Sequence, residues 1–326
     1  MADQVVCTND LKKYFTTRGG VVKAVDGVNL SVSAGQVFGF LGPNGAGKTT
    51  TLRILTTLIP PDSGDAVVAG CDVLKDPNGV RCRIGYVRQA GGSDRPATGR
   101  ENLVLQGRLY GVPRIDAEKR AAELIGLLDL TDFADRIVYT YSGGQRRRLD
   151  VALGIMHRPQ VLFLDEPTTG LDPQNRANLW EQIAKLKALG TTIFLTTHYL
   201  EEADVLSDVV AIMDHGHIVA EGTPEQLKRQ VSLDTIRITL GDPSQHPDVA
   251  DALGALPIVK AVAQESDCVR ISVENGEAAL PEIMRALDAR GVVLTGISLS
   301  TATLDDVFLE KTGRSLRDTG AEGGAR

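Results

Sequence analysis

The segment Gly42, Pro43, Asn44, Gly45, Ala46, Gly47, Lys48, Thr49, with Thr50 behind it, constrains this chain more than any other feature. It fits G-x-x-x-x-G-K-[ST] and stands between an apolar run, Gln36 to Leu41, and a helical pattern that continues through Leu58. The physics of such a loop needs both neighbours. Glycines let successive backbone N–H groups turn inward around phosphate oxygens, and the following helix adds its positive N-terminus. Lys48 would reach the β- and γ-phosphates, and the Thr49 hydroxyl is a hard oxygen suited to Mg²⁺.

A second apolar run, Val161 to Leu164, ends in Asp165-Glu166-Pro167. In a P-loop protein an Asp at the end of such a buried strand holds Mg²⁺. Strand alternation would turn Glu166 to the other side, where it polarises a water for attack on the γ-phosphate. A third run, Thr192 to Thr196, is followed by His198. Open α/β sheets bind ligands where their strands end, so His198 would donate to the γ-phosphate or to the attacking water.

Around these motifs, residues 1 to 225 alternate short apolar strands with helical patterns, which predicts an α/β core with a buried parallel sheet. Asp172-Pro173 opens a helix with Leu179, Ile183 and Leu186 on one face, closed by Gly190. About residues 98 to 158 read as a helical insertion, with Leu124 to Leu130 in one helix and Leu149 to Met156 in another. After Gly222-Thr223-Pro224 the pattern becomes βαββαβ, which predicts a small α+β ferredoxin-like domain over residues 231–313. The Gly- and Ala-rich tail, 314–326, is expected to be disordered.

Charge and cysteine usage narrow the function classes. A net charge of −7 over 326 residues argues against a nucleic-acid binder working through a basic surface. Cys7, Cys71, Cys82 and Cys268 lack metal-ligand spacing and read as reduced, packed thiols. His215 and His217 flank a turn glycine and read as solvated. The N-terminus lacks the apolar core of a signal peptide, and no run approaches the ~20 apolar residues of a membrane helix. Any service to a membrane is expected from outside the bilayer.

Tyr141 is followed by Ser142, Gly143, Gly144 and Gln145, just ahead of Asp165 and at a predicted helix start. With this segment the order of motifs becomes specific: P-loop, Gln89, Ser142 to Gln145, Asp165-Glu166, Leu171-Asp172, His198. Over about residues 5 to 225 the chain resembles the nucleotide-binding subunit of an ATP-binding cassette (ABC) transporter. The resemblance implies a P-loop NTPase core of the ABC type that binds ATP and Mg²⁺ and hydrolyses ATP. It makes Ser142-Gly-Gly-Gln145 the signature motif, which in one copy closes over ATP held by the P-loop of another, so the partner is a second copy of the chain. It assigns Gln89 to Mg²⁺ or water and to sensing of the membrane partner, and Asp172 to a loop crossing the dimer interface. Phe15 takes the place of the aromatic that stacks on adenine, ahead of Tyr14. Arg146, Arg147 and Arg148 then lie on the signature helix, where a run of Arg reads as a solvated face, with contact to the membrane partner as the alternative.

Tyr141 to Asp150, the appended domain and Leu304-Asp-Asp-Val-Phe-Leu-Glu310 resemble the daunorubicin/doxorubicin-resistance type of ATPase subunit, found in bacterial multidrug and antibiotic exporters. This implies a separately encoded membrane permease and a place at the cytoplasmic face of the membrane. Two departures lie in the stretch that would face the permease: Arg88 where the family commonly has proline, and the glycine-rich Ala90 to Ala97. Soluble ABC ATPases acting on nucleic acid or ribosomes carry two cassettes, long coiled coils or basic arms, and this chain shows one P-loop.

Overall fold

The computed structural model describes residues 4–17, 19–231, 233–241, 246–264 and 268–313. The predicted disordered tail therefore lies outside the described residues. The chain divides after Pro224 into two compact units.

In the first unit, β3 (Val37–Leu41), β6 (Ile84–Val87), β7 (Val161–Asp165), β8 (Thr192–Thr197), β9 (Val209–Asp214) and β10 (His217–Gly222) form one sheet in the order β10-β9-β3-β8-β7-β6. All pairs but β10–β9 are parallel. The central strands β3, β7 and β8 are buried at every position because both faces are covered. Val161 and Phe163 point into one core cluster, Leu162 and Leu164 into another. Phe194 of β8 joins the neighbours, with its ring 5.3 Å from Phe38 and 5.4 Å from Phe163.

A second sheet had no distinct signal in the sequence. β1 (Gln4–Thr17), β2 (Gly20–Ser33), β4 (Ser63–Val68) and β5 (Cys71–Asp72) pair antiparallel in the order β2-β1-β4-β5. Several register shifts along β1 break the simple alternation by which such strands are read.

Helices α1 (Lys48–Leu55) and α2 (Pro77–Arg83) belong to the core. Between β6 and β7 stand α3 (Gly99–Leu109), α4 (Arg114–Leu127) and α5 (Gly143–Gly154), the expected helical insertion. Its helices are shorter than predicted. Leu128 and Leu130 lie beyond α4, and Ile155 and Met156 beyond α5, buried as turn residues of the same core. Asp172 caps α6 (Pro173–Ala188), and Gly190 follows it with φ +85°. Helix α7 (Leu200–Leu206) comes directly after His198-Tyr199.

The second unit begins with α8 (Pro224–Val231), split off at its first residue. It then runs β11 (Asp234–Leu240), α9 (His246–Gly254), β12 (Val259–Gln264), β13 (Val269–Val273), α10 (Gly276–Asp288), β14 (Leu294–Ser300) and α11 (Leu304–Thr312). The sheet order β12-β13-β11-β14, antiparallel throughout, interleaves two β-α-β halves in the ferredoxin-like manner. Ile236, Ile238 and Leu240 alternate inward against Leu253, Ile283 and Leu287.

None of the four cysteines forms a disulfide, and Cys82 is exposed rather than packed. His215 and His217 are exposed beside Gly216, as expected. Among the described residues, no helix is long and apolar enough to cross a membrane.

Candidate functional site

Parallel register brings the ends of β3, β7 and β8 to one edge. Leu41 lies opposite Thr197, and Asp165 opposite Thr196. The loop after β3 passes so close to its surroundings that two of its glycines have no room for a side chain. A Cβ on Gly42 would lie 2.2 Å from the Met213 carbonyl oxygen, and one on Gly47 2.1 Å from that of Ala24. Gly47 also holds φ at +112°, so it is fixed by sterics and by backbone conformation together.

Lys48 opens α1 and is only 4% exposed. Its ammonium donates to the carbonyls of Gly42 (2.6 Å) and Pro43 (3.1 Å) and stands 3.6 Å from Glu166 Oε1. The lysine predicted to reach phosphates thus lies in the throat of its own loop. A pocket of about 130 Å³ is lined by Pro43, Asn44, Gly45, Lys48, Thr49 and Glu166. Burial pushes the Lys48 ammonium below the usual lysine range, against the pull of Glu166 and Asp165.

Glu166 is the hub of this edge. His198 Nδ1 lies 3.3 Å from its Oε1, and Gln89 Nε2 donates to its Oε2 at 3.1 Å. The Thr169 hydroxyl donates to the same Oε2 at 3.3 Å. Strand alternation is not what aims the side chain. β7 ends at Asp165, and Glu166 takes a left-handed conformation with φ +43°, its N–H donating to Thr196. Burial raises the Glu166 pKa, but His198, Lys48 and Thr169 outweigh it and hold the carboxylate below the ordinary glutamate value.

Asp165 accepts from the hydroxyls of Thr196 (2.7 Å) and Thr49 (3.3 Å). The Thr49 hydroxyl and the Asp165 carboxylate are hard oxygen donors side by side, a pair that fits a small divalent cation. Phe15 is 39% exposed with Lys13 5.8 Å from its ring centroid, whereas the Tyr14 hydroxyl donates to Asp26. Phe15 is therefore the more exposed of the two aromatics, while Tyr14 is half-buried and tied to Asp26.

The signature segment is built as a helix start. Ser142 Oγ accepts from Gln145 N (3.2 Å), and Gln145 Oε1 accepts from Ser142 N (3.0 Å), a reciprocal capping box. Ser142 and Gly143 are exposed, while Gly144 packs against α6, where a Cβ would lie 2.1 Å from Asn175 Oδ1. Asn175 in turn donates to both carboxylate oxygens of the exposed Asp172. The signature segment and Asp172 are thus joined to each other within one chain.

The arginine run is not a solvated face. Arg147 is buried, and Arg148 donates to the Asp129 carbonyl and stacks over Phe133. Position in the helix explains this: α5 packs its Arg147 and Asp150 side toward the sheet edge. Asp150 accepts from the N–H groups of Gly92 (3.1 Å) and Ser93 (3.2 Å), so the glycine-rich departure after Gln89 is a loop folded onto a carboxylate. A cleft of about 270 Å³ opens beside it, lined by Gly85, Tyr86, Arg88, Gly91, Asp150 and His157. Tyr110 stacks on His157 at 3.6 Å. Sequence reasoning missed the contacts of Asp150 and Thr169, which carried no local signal because their partners come from distant segments or from the fold.

This geometry has known relatives. The ABC transporter family model matches residues 25–169, and the family model for the C-terminal domain of DrrA1-3-like ATP-binding proteins matches residues 222–312. The chain is 45% identical to the daunorubicin resistance ATP-binding protein DrrA2 of Streptomyces coeruleorubidus, over 94% of this chain and 95% of that one. It is 44% identical to the doxorubicin resistance ATP-binding protein DrrA of Mycobacterium tuberculosis, over 95% and 94%. A linearmycin resistance ATP-binding protein of Bacillus subtilis is 34% identical over 90% and 95%. Among solved structures, cbiO1 of Clostridium perfringens, part of an ABC transporter complex, superposes with a TM-score of 0.62 at 25% identity, covering 69% of this chain and 90% of that one. A dimeric ATP-binding cassette bound to ADP and phosphate shares the fold at 24% identity and a TM-score of 0.61, covering 67% and 98%. With matches of this extent on both units, the chain belongs to the ATP-hydrolysing, ATP-binding subunits of ABC transporters, within the daunorubicin/doxorubicin-resistance group.

Proposed function

We propose that two copies of this chain close head to tail around two ATP molecules and drive a separate membrane permease that exports an amphiphilic drug, antibiotic or lipid-like compound. The observation that carries the proposal is the convergence of Lys48, Gln89 and His198 on Glu166. The N–H groups of Gly45 to Thr50 hold the phosphates, with Lys48 exchanging its loop carbonyls for phosphate oxygens. Phe15 stacks on adenine. Thr49, Asp165 and Gln89 are the residues that would hold Mg²⁺, which when bound neutralises charge on the β- and γ-phosphates. Glu166 takes the proton of a water as its oxygen bonds to the γ-phosphorus and the bridging P–O bond to ADP breaks. His198 and Lys48 keep that carboxylate ionised, and the Gln89 hydrogen bond helps aim it.

The exposed Ser142 hydroxyl, the N–H groups beside it and the α5 N-terminus suit an anion, and the partner's γ-phosphate is the anion proposed. The cleft beside Arg88 and Gly91 follows Gln89 directly, so it is the surface proposed to face the permease at the cytoplasmic side of the membrane. The export direction and compound class are carried over from the drug-resistance relatives. Inverted membrane vesicles carrying the chain and a membrane subunit that co-purifies with it should accumulate doxorubicin when ATP is added, and Glu166→Gln should abolish this. Accumulation independent of ATP, or unchanged in the variant, would refute the proposal.

A further inference from the structure

Arg147 lies one turn into α5 and is 6% exposed. Its Nε donates to the Pro167 carbonyl (2.6 Å), Nη2 to the Asp165 carbonyl (3.1 Å) and Nη1 to the Arg88 carbonyl (2.6 Å). Two of these acceptors bracket Glu166 in the chain, and the third precedes Gln89. All three guanidinium nitrogens are thus spent on the backbone that carries the Glu166–Gln89 contact.

That backbone needs holding. Glu166 sits in a left-handed conformation, which is strained for a non-glycine residue and persists only where its surroundings enforce it. A planar fork satisfies several carbonyls in fixed directions, which a lysine ammonium cannot reproduce. Burying a guanidinium is expensive unless its donors are used, and here they are used on two segments that otherwise end separate strands. On the same helix, Asp150 grips Gly92 and Ser93, so α5 holds the chain on both sides of Gln89.

We propose that Arg147 is a positioning residue for ATP hydrolysis: its guanidinium sets the backbone at Asp165–Pro167 and at Arg88 so that Glu166 and Gln89 meet in the hydrolytic geometry. Arg147 touches no substrate and acts through Glu166. This inference rests on Glu166 being the base.

The test compares Arg147→Met, Arg147→Lys, Glu166→Gln and the double variant Arg147→Met/Glu166→Gln in single-turnover and steady-state ATPase assays. Binding of a fluorescent ATP analogue and thermal melting are measured alongside. Arg147→Met should bind the analogue within about threefold of the parent and lose about 100-fold in kcat, the scale set by a small misplacement of a catalytic group. Arg147→Lys should fall between. Adding Arg147→Met to Glu166→Gln should lower single turnover by less than about threefold, because a residue acting through Glu166 has nothing left to position. Parental kcat in Arg147→Met, loss of analogue binding in step with kcat, or a full 100-fold loss in the Glu166→Gln background would each overturn the proposal. If the Met variant fails to fold, parental kcat in Arg147→Lys overturns it and a lowered kcat with retained binding supports it. Full turnover by Glu166→Gln alone would instead refute the base assignment.

Discussion

Gln89 and Glu166, leaving the ends of two adjacent parallel strands, meet through a 3.1 Å hydrogen bond from the amide Nε2 to the carboxylate Oε2. The contact joins the segment entering the helical insertion to the residue proposed to activate water. Hydrogen bonds to charged groups contribute about 1.5–3 kcal/mol. Gln89→Ala should therefore lower kcat/KM about 10- to 100-fold, with analogue binding nearly unchanged. Steady-state kinetics beside a binding titration would check it, and a loss confined to KM would count against the contact.

Glu166→Gln removes the proton acceptor while keeping the size and shape of the side chain. kcat should fall about 10²- to 10⁴-fold, the range for a lost general base. ATP should still bind, and light scattering should then detect a dimer that persists because hydrolysis no longer reopens it.

The pH dependence follows from the same carboxylate. Burial alone would raise its pKa, but His198, Lys48 and Thr169 together bring it below the ordinary value. A depressed folded-state pKa contributes stability that is present above the unfolded value, about 4.3, and is lost as pH falls through the folded one. For activity the same sign holds: the acid limb of kcat/KM should lie below that of an unperturbed glutamate. His198→Ala removes the foremost of the downward influences, so the limb should move to higher pH. A limb that stays in place would mean His198 does not act on Glu166.

Phe194 ties three strands through its contacts with Phe38 and Phe163. Phe194→Ala should cost about 3–5 kcal/mol of stability, the usual range for emptying such a site. Chemical denaturation of the isolated chain would measure it, and a loss under about 1 kcal/mol would contradict the packing described.

Motifs whose chemistry is local were readable in the sequence. A loop of Gly42 to Thr49 between strand and helix fixes its own backbone, and Ser142 with Gln145 spells its own capping box. The βαββαβ order of the second unit was legible because its strands alternate cleanly, as in Ile236, Ile238 and Leu240. Features that depend on distant partners were not. The long β1–β2 pair shifts register repeatedly and hides its alternation. Arg147 looks like surface charge until β6 and β7 supply its carbonyl acceptors, and Glu166 is aimed by a left-handed φ that strand alternation does not predict.

The central claim is that each ATP is held by one copy's Lys48 and capped by the other copy's Ser142 segment, and mixing two inactive variants tests it most directly. Lys48→Ala and Ser142→Arg are each expected to be inactive as homodimers. When they are mixed, each mixed dimer keeps one site with an intact P-loop and an intact signature, so turnover should return to roughly a quarter of the parent's with random pairing. A mixture as inactive as its two components, with mixed dimers demonstrably present, would contradict the account.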